Sequence, residues 1–270
     1  MTSQQARAAA ESELEYHERI YSGFVQQHFA KGAVRAFRAH LAERILRLTG
    51  AERTSHVLSV GCGIGDTEIL MAGRVGRLVG IDFSPAGIRQ ARADAKEAGL
   101  SNVEFIEGTL EEETVGRGFD VVFAVFFLHH LPEDRLAQVP RRIMQLLRPG
   151  GRFYSLEPSL YRLSGAIGSL LIPNLMKKYQ SPGEAELAPQ RVKRLFEVGG
   201  FGCRLDYYDF GSTPLAGLFP SWAAGYKAAR VLDDAIVRVP LLRRLGSNFE
   251  ILARKPESRL TGSPAAAESR

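Results

Sequence analysis

The sequence predicts an α/β fold built on a doubly wound parallel sheet, and three observations carry the prediction. A strand-like stretch runs through closely spaced glycines into a helix-like one. A second strand-like stretch ends in an acidic residue about twenty positions further on, and strands then alternate with helices along most of the chain. The first stretch is His56-Val-Leu-Ser-Val-Gly-Cys-Gly-Ile-Gly-Asp66. Val57, Leu58 and Val60 read as a short buried strand, Gly61, Gly63 and Gly65 as a turn without Cβ atoms, and Asp66 as the cap of the next helix. Such a turn leaves backbone N–H groups and a positive helix end facing one cleft, which suits a nucleotide-like ligand lying close to the backbone.

Before that strand, Met1 to about Ala10 reads as disordered. Glu11 to Gly50 reads as helix, with Val34, Phe37, Leu41, Ile45 and Leu48 at helical spacing and Gly50 ending the run. Tyr16, His17 and Tyr21 put polar tips on this helix and fit either a surface or a pocket. After the glycine turn, Arg77 to Ile81 reads as the second strand and ends in Asp82, placed to take ribose hydroxyls. Ser84-Pro85 opens a helix with Ile88, Ala91, Ala95 and Ala98 on one face, stopping at Gly99. Val103–Glu107 is the third strand, and Phe119–Val125 is apolar enough for a central strand buried on both faces. A helix is expected from Pro132 to Leu147, kinked at Pro140, then a turn at Arg148–Gly151 and a fifth strand over Arg152–Glu157. A helix over Pro189–Val198 and strands over Leu205–Phe210 and Asn248–Arg254 complete the pattern. The Pro/Ser/Ala-rich tail after Lys255 reads as disordered.

Length and composition fit this picture. A chain of 270 residues with 45% hydrophobic and 24% charged residues is an ordinary globular domain carrying insertions. The net charge of +5 is spread along the chain, without a basic run interleaved with aromatics, so nucleic acid is not an expected partner. Cys62 and Cys203 are too few for a disulfide framework or a metal cluster. Residues 1–15 are polar and acidic, and the longest apolar stretch, Leu163 to Met176, is interrupted and short for a bilayer. The expected location is the cytoplasm. No metal is expected, because no His/Asp/Glu cluster appears at ligand spacing and the adjacent His129 and His130 diverge on a turn.

Five motifs, Val57-Leu-Ser-Val-Gly-Cys-Gly-Ile-Gly65, Gly80-Ile-Asp-Phe-Ser84, Phe119-Asp-Val-Val122, Leu128-His-His-Leu-Pro132 and Leu147-Arg-Pro-Gly-Gly-Arg-Phe153, follow one another over residues 57–153. In them the chain resembles the class I S-adenosylmethionine (SAM)-dependent methyltransferases, most closely the branch called methyltransferase type 11. The resemblance implies a mostly parallel seven-stranded, Rossmann-like sheet whose last strand is antiparallel. It implies SAM as cofactor, lying over the Gly61–Gly65 loop with its ribose on Asp82 and its adenine beside Phe83. Cofactor contacts are accordingly expected from Gly61, Cys62, Gly63, Gly65, Asp82, Phe83, Thr109, Leu110 and Val125. Two positions depart from the family's pattern. Ser59 stands where an acidic residue usually faces the methionine amine, and Thr109 where one usually faces the adenine amine, with Glu111 nearby. A SAM-binding protein without catalysis is therefore one alternative. An NAD-binding oxidoreductase is another, although the third glycine comes one residue early for it.

Methyl transfer from a sulfonium needs an acceptor aligned with the methyl group, water excluded, and a base for an oxygen or nitrogen acceptor. At the carboxyl ends of the strands the sequence offers His129, His130 and Glu157 as catalytic candidates, against structural roles for each. Two long connections, Pro158–Ala188 and Gly211–Ser247, interrupt the core. They carry Leu160, Leu163, Ile167, Leu170, Leu171, Ile172, Leu175 and Met176 in one, and Leu215, Leu218, Phe219, Trp222, Tyr226, Val231, Leu232, Ile236 and Val237 in the other. Trp222, Tyr226, Ala229, Asp233, Ile236 and Val237 recur at helical spacing, so a helix there can bury one stripe.

The expected organisation is an N-terminal helical segment (1–50), a SAM-binding core (51–157, 189–210 and 248–255), two helical cap insertions (158–188 and 211–247) and a tail (256–270). The caps are expected to form a lid over a small or medium, largely apolar acceptor. Packing on each other, a dimer interface, or a membrane-surface patch helped by Lys177, Lys178, Arg243 and Arg244 are the other readings of the same residues.

Overall fold

The computed structural model describes residues 3–19, 21, 30–110, 115–171 and 184–257. Glu111, Ile172, Leu175, Met176, Lys177, Lys178 and the tail from residue 258 lie outside the described residues. The chain begins with α1 (Ser3–Arg19) and α2 (Gly32–Thr49). The sequence predicts disorder up to about Ala10 and one helix from Glu11 to Gly50; the structure has two helices, the first starting at Ser3. The Ala- and Gln-rich run Gln4–Ala10 has high intrinsic helix propensity, which outweighs its polarity. Gly50, at φ 67° and ψ 26°, ends α2 with its N–H on the Leu46 carbonyl.

The sheet follows, in chain order: β1 (His56–Val60), α3 (Asp66–Ala72), β2 (Arg77–Asp82), α4 (Pro85–Glu97), β3 (Val103–Glu107) and β4 (Phe119–Val125). After β4 come a 3₁₀ turn at Leu128–His130, α5 (Glu133–Leu136), α6 (Val139–Leu146), β5 (Leu147–Pro158), α7 (Leu163–Leu171), α8 (Pro189–Val198) and β6 (Gly202–Asp209). The chain closes with α9 (Ser212–Leu218), α10 (Ala223–Ile236) and β7 (Asn248–Arg254). The seven strands lie in the order β3-β2-β1-β4-β5-β7-β6, all parallel except β7, which is antiparallel to both neighbours. β5 and β6 therefore run the same way as β1, so both insertions leave from the carboxyl edge of the sheet.

Two local differences from the sequence reading have physical causes. The helix expected from Pro132 to Leu147 is two helices, because Pro140 sits in the first turn of α6, where its missing N–H has no helical partner to lose. The expected Arg148–Gly151 turn is instead a bulged beginning of β5, with Gly150 at φ 76° and the register to β4 shifting between Phe119 and Val121.

Alternation along the strands divides the core. Leu58, Val60, Val122, Ala124 and Phe153 face α5, α6 and α8, packing on Leu136, Ile143 and Phe196. Val57, Val121, Phe123 and Tyr154 face the other way, onto Phe37, Leu41 and Ile45 of α2 and Tyr226 of α10. Each fully buried Leu or Ile here contributes about 1.5–3 kcal/mol. Ser59 lies on this second face, with α3. Glu250 of β7 is buried and paired bidentately with Arg44 of α2 at 2.6 and 2.5 Å, and it also accepts the Tyr154 hydroxyl at 2.5 Å. That network fixes how α2 crosses the sheet.

Insertion two is anchored at its root. The carboxylate of Asp233 accepts the Gly211 and Ser212 N–H groups at 3.0 and 2.8 Å, and that of Asp209 accepts the Thr213 N–H at 2.7 Å, so α9 gets its N-terminal acceptors from outside itself. The helix expected from the Trp222 stripe forms, but its buried face is Gly225, Tyr226, Arg230 and Asp233. Trp222 is exposed, because the helix starts after it at Ala223. No helix among the described residues is long and apolar enough to cross a membrane.

Candidate active site

The loop from β1 to α3 passes Gly61 and Gly63 with φ of 70° and 53°, a left-handed conformation that strains any residue with a Cβ. A Cβ on Gly61 would stand 2.6 Å from the Phe127 ring, and one on Gly63 would stand 2.7 Å from the Tyr21 hydroxyl. The loop is tied to β2 by Gly61 and Cys62 N–H bonds to the Ile81 carbonyl, at 2.9 and 3.0 Å. Asp82 closes the arrangement. Its Oδ2 accepts the Gly63 N–H at 2.8 Å and its Oδ1 the Ser84 N–H at 2.9 Å, which leaves further lone pairs on a 5%-exposed carboxylate. Burial pushes the Asp82 carboxyl up, while those two N–H bonds and the facing His17 and His130 pull it down.

The other candidate cofactor residues are placed unequally. Phe83 is half-buried at the tip of β2, its ring edge-on to His17 at 5.3 Å. Thr109 and Val125 are half-buried, the first just after β3 and the second at the end of β4. The Leu110 side chain belongs to the core cluster under α6. That of Cys62 packs with Ile88, Ala91 and Phe105, so Cys62 meets the cleft through its backbone only. Gly65 takes the N-cap position of α3, and Asp66, expected as the cap, is the first helical residue. Its carboxylate accepts the Thr67 N–H at 2.8 Å and pairs with Arg38 at 2.9 Å.

Ser59, the departure from the acidic pattern, donates its hydroxyl to Oε1 of Glu68 at 2.5 Å. Glu68 comes from the first turn of α3 and is 3% exposed, and its Oε2 has no hydrogen-bond partner among the described residues. Burial, with a smaller push from Asp66, raises its pKa to about 7. A carboxyl thus stands beside the loop after all, supplied by the helix instead of the strand.

At the end of β4 the chain turns through Phe126, a non-glycine residue at φ 53°, strain of the order of 1–3 kcal/mol that surrounding contacts hold in place. Its N–H bonds the Leu156 carbonyl at 2.8 Å, and its ring stacks on Phe37. Glu157, fully buried at the end of β5, accepts the N–H groups of Phe127, Leu128 and His129 at 3.3, 2.9 and 3.4 Å and the Ser155 hydroxyl at 2.9 Å. Its second oxygen meets His129 Nδ1 at 2.8 Å. Glu157 and His129 therefore form a closed buried pair that shapes the turn. His130, half-buried, is the imidazole of the two that reaches the cleft.

It meets α1 there. His130 Nδ1 and His17 Nδ1 each lie 3.6 Å from Oε2 of the buried Glu13, with the two imidazole rings 5.2 Å apart and edge-on. Glu18 of α1 accepts the Ser84 hydroxyl and the Ala86 N–H at 2.7 and 2.8 Å, so α1 caps α4 across the cleft. Burial lowers the His17 pKa. Of the three residues for which the sequence leaves surface and pocket open, Tyr16 and His17 belong to α1, and Tyr21, past its end, stands with its hydroxyl over Gly63. The signal that finds them is polar and aromatic tips on the inner turn of an N-terminal helix; nothing local marks Glu13, Glu18 or Glu68.

A glycine cradle with left-handed φ, a buried carboxylate at the end of the neighbouring strand and this strand order define a nucleoside-binding α/β enzyme, and the residues present fit SAM. Residues 57–151 match the family model described as a methyltransferase domain. The demethylmenaquinone methyltransferase of Listeria welshimeri is 30% identical over 161 residues, covering 57% of this chain and 67% of that protein. The ubiquinone biosynthesis O-methyltransferase of a Methylobacterium species is 28% identical over 148 residues, covering 53% of this chain and 58% of that protein. Among solved structures, the complex of DhpI with SAH has a TM-score of 0.58 at 19% identity, over 92% of this chain and 97% of that one. The chain belongs to the class I SAM-dependent methyltransferases; it is an enzyme with SAM as its methyl donor.

Proposed function

We propose that the acceptor is a small or medium, largely apolar ring compound of quinol type, held between α1 and the two insertions. The observation that carries this is the surface above the carboxyl edge. Leu160, Leu163 and Ile167 in the first insertion and Leu218, Phe219 and Trp222 in the second all expose 40% or more of their surface. Exposed apolar side chains grouped on connections of this length are stabilised by an apolar molecule that covers them. The Ala185 N–H bonds the His129 carbonyl at 2.8 Å, which links the first insertion to the histidine turn. The names of the two curated relatives support the same acceptor class. In this reading 51–157, 189–210 and 248–255 are the SAM-binding core, and 158–188 and 211–247 are its lid.

SAM supplies an electrophilic methyl on a sulfonium, and every other step falls to this chain's residues. Asp82 takes the ribose hydroxyls, Phe83 flanks the adenine, and Glu68, through its place beside Ser59, takes the methionine ammonium. Tyr21 and Phe127 keep water off the loop. Glu157 and His129 hold the turn in position, and the cluster of Glu13, His17 and His130 handles the proton of the acceptor hydroxyl.

The test is methyl transfer from radiolabelled SAM to three acceptors: a naphthoquinol, a catechol with an apolar tail, and a polar primary amine. Transfer to the ring compounds with the amine inert is the expected result. Transfer to the amine alone would overturn the acceptor class.

A further inference from the structure

We propose that Glu13, His17 and His130 form a binding site for one divalent transition-metal ion at the mouth of the SAM cleft. The three side chains each offer a ligand atom, all within 4.8 Å of one another, although α1 and the turn after β4 are far apart in the sequence. Both imidazoles converge on a single carboxylate oxygen, Oε2 of Glu13, at 3.6 Å. A tetrahedral ion with bonds of about 2.1 Å has ligand–ligand edges of about 3.4 Å, so the edge from His130 Nδ1 to Glu13 Oε2 is already close to metal-bound length. Two neutral imidazoles and one carboxylate are the donor set that suits zinc, cobalt, manganese or ferrous iron, and that leaves positions open for an oxygen ligand.

The surroundings supply what an outer shell must. His17 Nδ1 is 2.9 Å from the Glu13 carbonyl oxygen; an N–H donated there fixes the tautomer and leaves Nε2 as the nitrogen with a lone pair. The His129 ring lies 4.0 Å from the His130 ring and is itself held by Glu157, so His130 stands against a fixed wall. The edge-on contact of His17 with Phe83 fixes the remaining side. Nothing in the spacing of the sequence reveals the set, because two ligands come one turn apart on α1 and the third follows β4.

The ion would serve two ends. It joins α1 to the turn after β4 and so holds the cover of the cleft in place. It also stands where an acceptor hydroxyl meets the cluster, and a divalent cation lowers the pKa of a bound oxygen acid. The imidazoles then act as ligands to the ion that makes the acceptor acidic. This role rests on the acceptor reading; the binding of the ion does not, and it is measured without acceptor.

Untagged full-length protein, stripped with chelator and dialysed, is titrated with cobalt(II) and followed by its visible d–d absorption, then back-titrated with zinc. One saturable site per chain, displaced by zinc, is expected. His17→Ala and His130→Ala each weaken cobalt binding by more than ~100-fold, beyond the 10–100-fold of losing an outer-shell partner. His56→Ala, at the exposed start of β1, leaves it unchanged. His130→Cys keeps the site and adds a sulfur-to-cobalt charge-transfer band, which a merely structural histidine does not produce. The absence of a saturable site below about 1 mM cobalt, or a site that persists in the His17→Ala, His130→Ala double variant, would overturn the proposal. Circular dichroism of each variant separates loss of a ligand from loss of the fold.

Discussion

Replacing Glu68 by glutamine separates the two consequences of burying a carboxyl beside the cofactor loop. In the folded chain its pKa rises to about 7. An unperturbed glutamate titrates near 4.3, so at 1.36 kcal/mol per pH unit the ionised side chain costs about 3–4 kcal/mol. The folded state keeps this proton over a range in which the unfolded chain has lost it. Stability from this group therefore falls as pH rises from about 4.3 and levels off above about 7. The amide of the Glu68→Gln variant would still accept the Ser59 hydroxyl, but its nitrogen takes the place of an oxygen without a partner, at ~1–2 kcal/mol. The net expectation is a gain of about 2 kcal/mol at pH 8, or about 4–8 °C in Tm for a chain of this size, and no gain at pH 5. Thermal unfolding followed by circular dichroism across pH 5–8 reads it directly. A Tm difference between variant and wild type that is constant within ~1 °C over that range would refute the titration of a buried Glu68. Calorimetry with SAM reads the second consequence. If Glu68 takes the methionine ammonium, the variant binds SAM about 10–150-fold more weakly, the equivalent of 1.5–3 kcal/mol for a charged hydrogen bond.

Three further variants test the rest of the site. Asp82→Ala should weaken SAM binding by ~1.5–3 kcal/mol, measured by isothermal titration; an affinity within about twofold of wild type means that the ribose is held elsewhere. Glu157→Ala strips acceptors from three backbone N–H groups and the Ser155 hydroxyl, and urea unfolding should show a loss of about 3 kcal/mol or more. The double change Phe219→Ser, Trp222→Ser should raise the acceptor KM several-fold with the SAM affinity unchanged. An unchanged acceptor KM argues against a lid formed by the second insertion.

The sheet was legible because its strands are marked twice. Val57–Val60 and Phe119–Val125 are mainly apolar runs too short for helices; the first stops at the Gly61 turn, and the second starts after Gly118. Bounds of β2, β3, β4 and α8 follow from such marks. Pro140 and Gly150 misled in opposite directions. A proline inside a helical pattern reads as a kink, but a start of α6 at Val139 satisfies it better. Gly150 reads as a turn, but a bulge lets β5 run through it. The stripe of the second insertion held at Tyr226 and Asp233 and failed at Trp222, which precedes the helix, and it missed the buried Arg230. Asp233 is buried for its two hydrogen bonds to the start of α9, a gain that a hydrophobic pattern does not register.

The site was legible only where one segment makes it. Gly61, Gly63 and Asp82 follow from local backbone geometry, so their spacing declares them. Glu68, Glu13 and Glu18 each gain their place from a partner far away or on another element: Ser59, His130 and the first turn of α4. The two kinds of residue divide the work. In the proposed reading the segment-local residues hold the nucleoside end of SAM, which is the same for every acceptor. The remote carboxyls lie on α1 and α3, on the side that the same reading gives to the sulfonium and the acceptor. A serine at position 59 reads as a loss from β1 alone, yet the carboxyl it binds comes from α3, one turn of helix past the loop. Glu68 and Ser59 must therefore be exchanged together. An acidic side chain at position 59 opposite a retained Glu68 would place two carboxylates in one buried site, and one of them would keep its proton at neutral pH.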